Sequence, residues 1–193
     1  MTKEIVFENL KDFHEAARAA GVGYWLFEGL LLGIYRDGGP VYGDEDDTDV
    51  AIEPLSEEKR LKLLKELEKR GLWPCIIDGK KRDKILVKGK LEAIQVERGG
   101  NRIDICVLRM NEHAAYVAGG NYYLVFPKHH FEGRETINWN NFQFDTVKDV
   151  EGFLQYKYRN WQRPVYRGQG YCYEDTALNR AYVENWDFKS LPQ

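Results

Sequence analysis

The sequence is poor in cysteine, and its few cysteines follow no metal-binding or disulfide pattern. Cys75, Cys106 and Cys172 are far apart, odd in number and outside any C-x-x-C or Cys/His spacing. Closely spaced Cys and His pairs are typical of structural zinc sites, and even numbers of cysteines are typical of disulfide frameworks. We therefore expect free thiols in a reducing compartment, a cytoplasmic location and no structural zinc.

Long hydrophobic runs and an excess of positive charge are also missing. Charged residues interrupt the first 21 residues, so no signal peptide is expected. No window reaches the roughly 18 apolar residues of a membrane span. The formal net charge is −3, which argues against broad electrostatic binding to nucleic acid or to anionic membranes. We therefore expect no membrane span and argue against a nucleic-acid partner, with a local basic groove as the alternative.

Apolar and aromatic residues are abundant enough for one well-packed domain. Hydrophobic residues make up 43% of the 193 residues and aromatic residues 13%, which excludes general disorder. This length fits one domain, to which we assign residues 1–164. The segment 165–193 is rich in Tyr, Arg and Asn, and we expect an extension that is either packed on the domain or partly mobile.

The hydrophobic spacing predicts helices and strands in an α/β or α+β order. Helical periodicity covers residues 4–20, 30–39 and 149–161. A further helix follows the N-cap candidate Ser56 and presents Leu61, Leu64 and Leu67 on one face. Strands are expected at 23–29, 48–54 and 141–147, in four segments between 73 and 109, and in a hairpin over 114–127. This order predicts a mixed sheet with packed helices.

Five acidic residues crowd into six positions of the segment GDEDDTDVAI (43–52), immediately before an apolar strand. Because side chains at i and i+2 of a strand share a face, Asp47 and Asp49 point the same way. Two such carboxylates repel by about 4 kcal/mol at the effective dielectric of a protein surface. A divalent cation between them removes this repulsion, and Mg²⁺ prefers oxygen ligands. The segment therefore predicts a metal site, with a solvated acidic turn as the alternative.

A third carboxylate interrupts a later apolar strand. Asp104 lies between Ile103 and Ile105 in the segment RIDICVL (102–108), where an acid must face a polar cavity, a partner or solvent. On a strand beside residues 48–52, Asp104 would complete a triad with Asp47 and Asp49. Such a triad would hold one or two Mg²⁺ (or Mn²⁺) ions for phosphoryl chemistry. The alternative is an edge strand whose acidic face is open to water.

Two segments resemble the signature of the LicD-type phosphotransferase family, which includes the fukutin-related proteins. The first, 28–52, resembles it through Gly29, Leu31, Leu32, Gly33 and Arg36, with Glu45, Asp47 and Asp49 on three acidic positions. The second, 129–164, is similar at Phe131, Gly133, Phe153, Leu154, Tyr158, Trp161 and Pro164. The departures are Leu30 for a Ser or Thr, Tyr42-Gly43-Asp44 for I-P-W, and Arg159 for a Gly.

The resemblance implies a nucleotidyltransferase-type fold and a metal-dependent transfer reaction. Members move a phospho-alcohol, such as phosphocholine or ribitol phosphate, from a CDP-linked donor to a sugar or glycan hydroxyl. The residues implied in metal binding and catalysis are Asp47, Asp49 and Asp104, assisted by Glu45. Those implied in substrate binding are Gly29 and Gly33, where the backbone would approach the diphosphate, Arg36, as a phosphate ligand, and His130.

Other functions stay open at this point. A nucleotidyltransferase with the same fold and metals would move a nucleoside monophosphate from an NTP to a small molecule or RNA. A nucleotide-binding module without catalysis is a third hypothesis, which Leu30 and Glu45 would allow. The alternative for Arg36 is a salt bridge with Asp37 or Glu28, and that for His130 is a structural or surface role.

Overall fold

The computed structural model describes residues 3–43, 45–87, 89–118, 122–164 and 180–182. Its helices are α1 (Lys3–Ala20), α2 (Glu28–Asp37), α3 (Glu57–Glu68) and α4 (Val150–Tyr158), and Lys128–Phe131 forms one turn of 3-10 helix. Its strands are β1 (Tyr24–Leu26), β2 (Asp47–Ile52), β3 (Trp73–Pro74), β4 (Ile76–Ile77), β5 (Lys80–Lys81), β6 (Ile85–Val87), β7 (Lys90–Arg98), β8 (Asn101–Val107), β9 (Arg109–Met110), β10 (Ala115–Ala118), β11 (Tyr122–Phe126), β12 (Glu135–Trp139), β13 (Phe142–Thr146) and β14 (Arg180–Tyr182). None of these helices is long and apolar enough to cross a membrane.

A mixed sheet of six strands lies at the centre of the fold. Its strand order is β1, β2, β8, β7, β3, and β6 also pairs with β7. The strands β2 and β8 run parallel, whereas β1 pairs antiparallel with β2 and β7 pairs antiparallel with β8. Parallel neighbours need a long crossover connection, and here α3 and the strands β3 to β7 supply it. The predicted mixed sheet with packed helices is confirmed.

Alternation along β2 and β8 separates a packed face of the sheet from a polar face. Apolar side chains such as Val50 of β2 and Ile103 and Ile105 of β8 are buried in one core with Leu10 of α1 and Leu67 of α3. The helix α1 contacts both α3 and β8. Successive strand residues point to opposite faces, so the acidic residues between these apolar positions project away from α1 and α3.

A smaller antiparallel sheet contains the predicted hairpin. Its strand order is β14, β11, β10, β9, and β10 pairs with β11 as the sequence analysis predicted. Residues 180–182 form β14 and pair with β11, so this part of the 165–193 extension lies on the smaller sheet. The rest of the predicted extension, 165–179 and 183–193, lies outside the described residues.

The hairpin of β12 and β13 contains one strand that the sequence analysis did not predict. Trp139 pairs with Phe142, which leaves Asn140 and Asn141 as the two turn residues. Their φ angles are 49° and 61°, and two positive φ angles are the requirement of a type I′ turn. Most of β12 is exposed or half-buried, so its hydrophobic pattern is weak. The Asn-Asn pair is the feature of the sequence from which this hairpin could have been predicted.

The predicted apolar face of α3 was wrong at one position. The helix begins after Ser56, whose hydroxyl accepts a hydrogen bond from Lys59 N at 3.2 Å, as expected for an N-cap. Leu61, however, is 53% exposed, and the buried residues are Arg60, Leu63, Leu64 and Leu67. Arg60 is buried because its guanidinium donates to Glu57 Oε1 at 2.7 Å and to the Asp83 carbonyl at 2.8 Å.

The helix α2 begins two residues earlier than predicted, and the turn that follows it packs directly on Gly33. This turn leads into the acidic segment, and Gly39 N donates to Gly33 O at 3.2 Å. A Cβ on Gly33 would lie 2.6 Å from Val41 N and 2.9 Å from Pro40 C, and closer still to Gly39 O. The close approach of this backbone therefore requires a glycine at position 33.

We predict that Gly33→Ala destabilises the protein by about 1–3 kcal/mol, the usual cost of overpacking a rigid site. The added methyl group would meet backbone atoms rather than side chains that can rotate away. Gly39→Ala is the matched control, because the three nearest atoms to its Cβ would belong to the flexible Lys3 side chain, at 3.3–3.4 Å. Denaturant unfolding of both variants tests this, and equal midpoints for the two would contradict it.

Candidate active site

Three carboxylates meet on the polar face of β2 and β8. The parallel register pairs Asp47 with Arg102 and Asp49 with Asp104. One carboxylate oxygen from each of Asp47, Asp49 and Asp104 lies within 4.8 Å of the others. The predicted position of Asp104, on the strand beside β2, is therefore confirmed by the register. Its role as a metal ligand stays a prediction.

A polar network beneath the carboxylates holds the loop that precedes β2. Thr48 is fully buried on the opposite side of the strand, and Asn101 donates to Thr48 Oγ1 at 2.9 Å and to the Glu45 carbonyl at 3.2 Å. Asn9 of α1 donates to Asn101 Oδ1 at 3.0 Å. Because buried amides need such partners, this network joins α1 to both strands. The backbone of Glu45 is thus held, whereas its side chain is not among the three grouped carboxylates.

Arg102 is a cation of the site that the sequence analysis missed. Its guanidinium lies 3.0 Å from Asp47 Oδ1 and 3.2 Å from the nearer Asp104 oxygen. Gln95 of β7 donates to Asp104 Oδ1 at 2.7 Å. Arg102 stands two residues before Asp104 on the same strand, and residues at this spacing share a face. That spacing was the signal available in the sequence.

Glu28 and Lys157 form a second charged pair beside the triad, and the sequence analysis assigned neither to the site. Lys157 Nζ lies 2.6 Å from Glu28 Oε2, and the two side chains are only 6% and 18% exposed. Glu28 begins α2 with a φ angle of 46°, a conformation that is uncommon for residues other than glycine. The ion pair therefore links α4 to the start of α2 in a largely desolvated position.

Asp49 lies between these charged groups. Among the residues that the structure describes, none forms a hydrogen bond or ion pair with its carboxylate. Burial raises the pKa of Asp49 well above the usual range, and the nearby carboxylates of Glu28, Asp47 and Asp104 raise it further, whereas Lys157 opposes them. Burial likewise raises the pKa of Asp104, and Arg102 opposes that shift. The site thus concentrates negative charge that its own cations do not fully neutralise.

The predicted phosphate ligand, Arg36, has partners within the chain. Its guanidinium donates to both carboxylate oxygens of Asp37, at 2.8 Å and 2.7 Å, and to the Trp161 carbonyl at 3.1 Å. The side chain is 10% exposed. This is the salt bridge with Asp37 that the sequence analysis kept as the alternative.

The predicted glycine and histidine positions lie in different surroundings. Gly29 is in the first turn of α2, next to Glu28, whereas Gly33 contacts the turn of residues 39–41. His130 is 3% exposed and lies in the core against Phe153, with ring centroids 5.7 Å apart. Burial lowers the pKa of His130, and a hydrogen bond to the Lys148 carbonyl opposes that shift. Gly29 therefore lies at the start of α2, beside the charged pair, whereas His130 is buried in the core.

The donor set of the triad fits a hard divalent cation. All three ligands are carboxylate oxygens within reach of one another, which is the chemistry that Mg²⁺ and Mn²⁺ prefer. Asp47, Asp49 and Asp104 could hold such an ion in place of Arg102, whose ion pairs would then be released. Burial and the neighbouring carboxylates both raise the pKa of Asp49, and a bound divalent cation would offset the contribution of those carboxylates.

The fold resembles that of the antibiotic-resistance factor ANT(2'')-Ia, which is known from its solution structure. The TM-score is 0.52 at 16% sequence identity, over 88% of this chain and 80% of that chain. This is a nucleotidyltransferase fold. Comparisons with protein-family models and with curated proteins give no match. The fold predicted from the sequence is confirmed, while the LicD-type resemblance rests on its two segments alone.

We predict that Asp49→Asn stabilises the metal-free protein and that the gain grows with pH. A carboxyl with a raised pKa in the folded state disfavours folding once it ionises. In the wild-type protein this loss of folding free energy therefore begins near the pKa of Asp49 in the unfolded chain, about 3.9. It increases as the pH rises toward the pKa of Asp49 in the folded protein. We expect a gain of about 0.5–2 kcal/mol near neutral pH, the usual size of a single stabilising substitution.

Unfolding of both proteins in EDTA between pH 4 and pH 8 measures this difference. Asp46→Asn is the control, because Asp46 is exposed and adjacent in sequence. A stability difference that does not change with pH would show that Asp49 is not the strained carboxyl.

We predict that Arg102→Gln makes the metal-free protein slightly less stable but strengthens Mg²⁺ binding. Half-exposed ion pairs such as those of Arg102 contribute about 0.2–1 kcal/mol each, and an incoming cation must displace them. Two such pairs are worth up to about 2 kcal/mol together, so the affinity for Mg²⁺ should rise by up to about 30-fold. Thermal unfolding in EDTA and in a Mg²⁺ series measures both effects, with Arg70→Gln, which removes an ion pair with Glu66 on α3, as the control. Weaker Mg²⁺ binding in Arg102→Gln would mean that Arg102 orients the carboxylates instead.

Proposed function

We propose that this chain is a metal-dependent nucleotidyltransferase that moves a nucleoside monophosphate from an NTP to a hydroxyl group of a small molecule. The observation that carries the proposal is the meeting of Asp47, Asp49 and Asp104 on two adjacent parallel strands. Hard divalent cations bind such clusters together with substrate phosphates. The similarity in fold to ANT(2'')-Ia supports the same class of reaction.

In this proposal the three carboxylates serve in both metal binding and proton transfer. Mg²⁺ (or Mn²⁺), held by Asp47, Asp49 and Asp104, would neutralise phosphate oxygens and orient an in-line displacement. The acceptor oxygen attacks the α-phosphorus, the bond to the bridging oxygen breaks, and pyrophosphate leaves. One of these three carboxylates would also accept the hydroxyl proton as a general base.

The two cations beside the triad would have different roles. Arg102 is 40% exposed and would leave its carboxylates when metal binds, which turns its planar guanidinium toward a phosphate oxygen. Lys157 would stay with Glu28, because breaking a buried ion pair is costly. That pair would keep α4 against the start of α2 while substrate enters.

The start of α2 is the best candidate for direct contact with the phosphates. The first backbone N–H groups of a helix have no partner within the helix and bind anions readily. Phe27, the N-cap of α2, forms no side-chain cap hydrogen bond, so Gly29 lies where such N–H groups are available. Gly33 and Arg36 would act through the fold around this site. For His130, burial favours a structural role.

A second function is transfer of a phospho-alcohol from a CDP-linked donor to a sugar or glycan hydroxyl. One observation favours it: the two segments that carry the LicD-type resemblance contact each other. The rings of Tyr35 and Trp161 are 5.5 Å apart, and Lys157 pairs with Glu28. The two reactions differ in the phosphorus attacked, so nucleotidyl transfer releases pyrophosphate and phospho-alcohol transfer from such a donor releases CMP.

Product analysis separates the two functions. We expect pyrophosphate and a nucleotide adduct from at least one of ATP, GTP, CTP and UTP, with Mg²⁺ and a panel of small hydroxyl compounds. CDP-choline, CDP-ribitol and CDP-glycerol should give no CMP with sugar acceptors. Chromatography of the nucleotide products decides between them, and CMP from a CDP-alcohol without pyrophosphate from any NTP would establish the second function.

Substitution of the carboxylates tests the site itself. Mutation of residues that support metal ligands without touching the metal typically costs about 10–100-fold in activity. Asp47→Asn and Asp49→Asn, which remove ligands themselves, should each lower turnover by more than this. Asp46→Asn is the matched control, since Asp46 is an exposed acid of the same loop and should keep nearly full activity. Mg²⁺-dependent nucleotide binding without product from any donor would instead indicate a binding module.

A further inference from the structure

A second group of potential metal ligands lies where the 3-10 turn meets α4. One ring nitrogen of His129, one of His130 and one carboxylate oxygen of Asp149 lie within 4.8 Å of one another. The two imidazole centroids are 4.0 Å apart. Zinc bond lengths of about 2.0–2.2 Å place ligand atoms about 3.3–3.6 Å apart in a tetrahedral site. Small side-chain rotations would therefore bring all three ligands onto one ion.

His130 is oriented as a metal-binding histidine would be. Its Nδ1 lies 3.1 Å from the Lys148 carbonyl, and Lys148 N donates to the His130 carbonyl at 2.9 Å. A carbonyl can only accept a hydrogen bond, so Nδ1 carries the proton and Nε2 carries the lone pair. Histidines that bind metals commonly donate their other N–H to a backbone carbonyl in this way. The ring is also 97% buried, since its exposed fraction is 3%.

The carboxylate of Asp149 is held in place by the helix that it caps. Asp149 Oδ1 accepts a hydrogen bond from Gly152 N at 3.1 Å, and a carboxylate oxygen has further lone pairs for a cation. The residue has a φ angle of 51°, a left-handed conformation that aspartate adopts more readily than most residues other than glycine. His129, by contrast, is exposed and approaches from the solvent side. Two ligands are therefore fixed by the fold and one can rotate into position.

We propose that His129, His130 and Asp149 bind a divalent transition metal ion, Zn²⁺ in particular, with a fourth position open to water. Two imidazoles and one carboxylate suit Zn²⁺, whereas Mg²⁺ prefers oxygen ligands. The positive end of the α4 dipole disfavours a cation here, so the affinity rests on the two imidazoles. The cysteine pattern, which argued against structural zinc, has no bearing on a site built from His and Asp.

The chain would thus hold two cation sites with different chemistry. The carboxylates of Asp47, Asp49 and Asp104 select hard cations, and the histidine site selects softer ones. Zn²⁺ would fasten the 3-10 turn to α4, the helix whose Lys157 pairs with Glu28. This inference does not depend on the proposed function, because metal binding is measured without substrate.

Zinc titration of the metal-free, full-length protein tests the proposal. Competition with a chelating indicator should give tight binding of Zn²⁺ to the wild-type chain and to Asp49→Asn, which lacks one carboxylate of the other site. His129→Ala should weaken binding by about 100-fold or more, beyond the effect of an outer-shell residue. His113→Ala is the matched control, because His113 is a surface histidine that lies 2.9 Å from Glu112. Its affinity should equal that of the wild type.

Asp149→Asn provides a variant that keeps the helix cap. Asn is as good an N-cap as Asp, so loss of zinc affinity in this variant reports the ligand rather than the fold, and circular dichroism verifies folding. Equal zinc affinity in the wild type, His129→Ala and Asp149→Asn would overturn the proposal. So would the absence of zinc binding, or a Co²⁺ spectrum with an intense sulfur charge-transfer band, which would indicate cysteine ligands.

Discussion

Repulsion among the carboxylates of Asp47, Asp49 and Asp104 is the constraint around which the polar face of the sheet is built. The parallel pairing of β2 with β8 fixes Asp49 opposite Asp104, and the apolar alternate residues of both strands prevent these acids from turning away. A register shift of one residue would place carboxylates in the core and Val50 or Ile103 on the polar face. The core therefore enforces a charge cluster that the strands alone would avoid.

The surrounding contacts compensate for this cluster in different ways. Arg102 and Gln95 bind Asp104 directly, and Lys157 acts on Asp49 from a distance while it pairs with Glu28. Beneath the sheet, Asn101 keeps the incoming loop in place. These contacts neutralise part of the charge. Burial raises the pKa of Asp49, and the carboxylates of Glu28, Asp47 and Asp104 raise it further. A divalent cation is the simplest group that would neutralise the remaining charge.

The site residues that could be predicted are those that can be recognised from their near neighbours in the sequence. Asp47 and Asp49 share a face because they stand two positions apart, and Asp104 was conspicuous because it interrupts an apolar strand. Arg102 stands two positions before Asp104 on the same strand, so the same spacing could have predicted that it lies at the site. Lys157 could not, because its burial depends on the packing of α4 against the start of α2. The family resemblance implied that Arg36 binds phosphate, whereas in the structure Arg36 donates hydrogen bonds to Asp37 and to the Trp161 carbonyl.

The alternating faces of β2 and β8, the cap of α3 at Ser56 and the class of the fold follow from the order of residues, because periodicity and capping involve neighbours along the chain. Which strands are adjacent and which cations reach the acids depends instead on long-range packing. The pairing of residues 47–52 with 102–107 crosses α3 and five strands. The contact between Lys157 and Glu28 spans 129 positions. Such contacts depend on the packing of the whole core, and no local pattern in the chain encodes them.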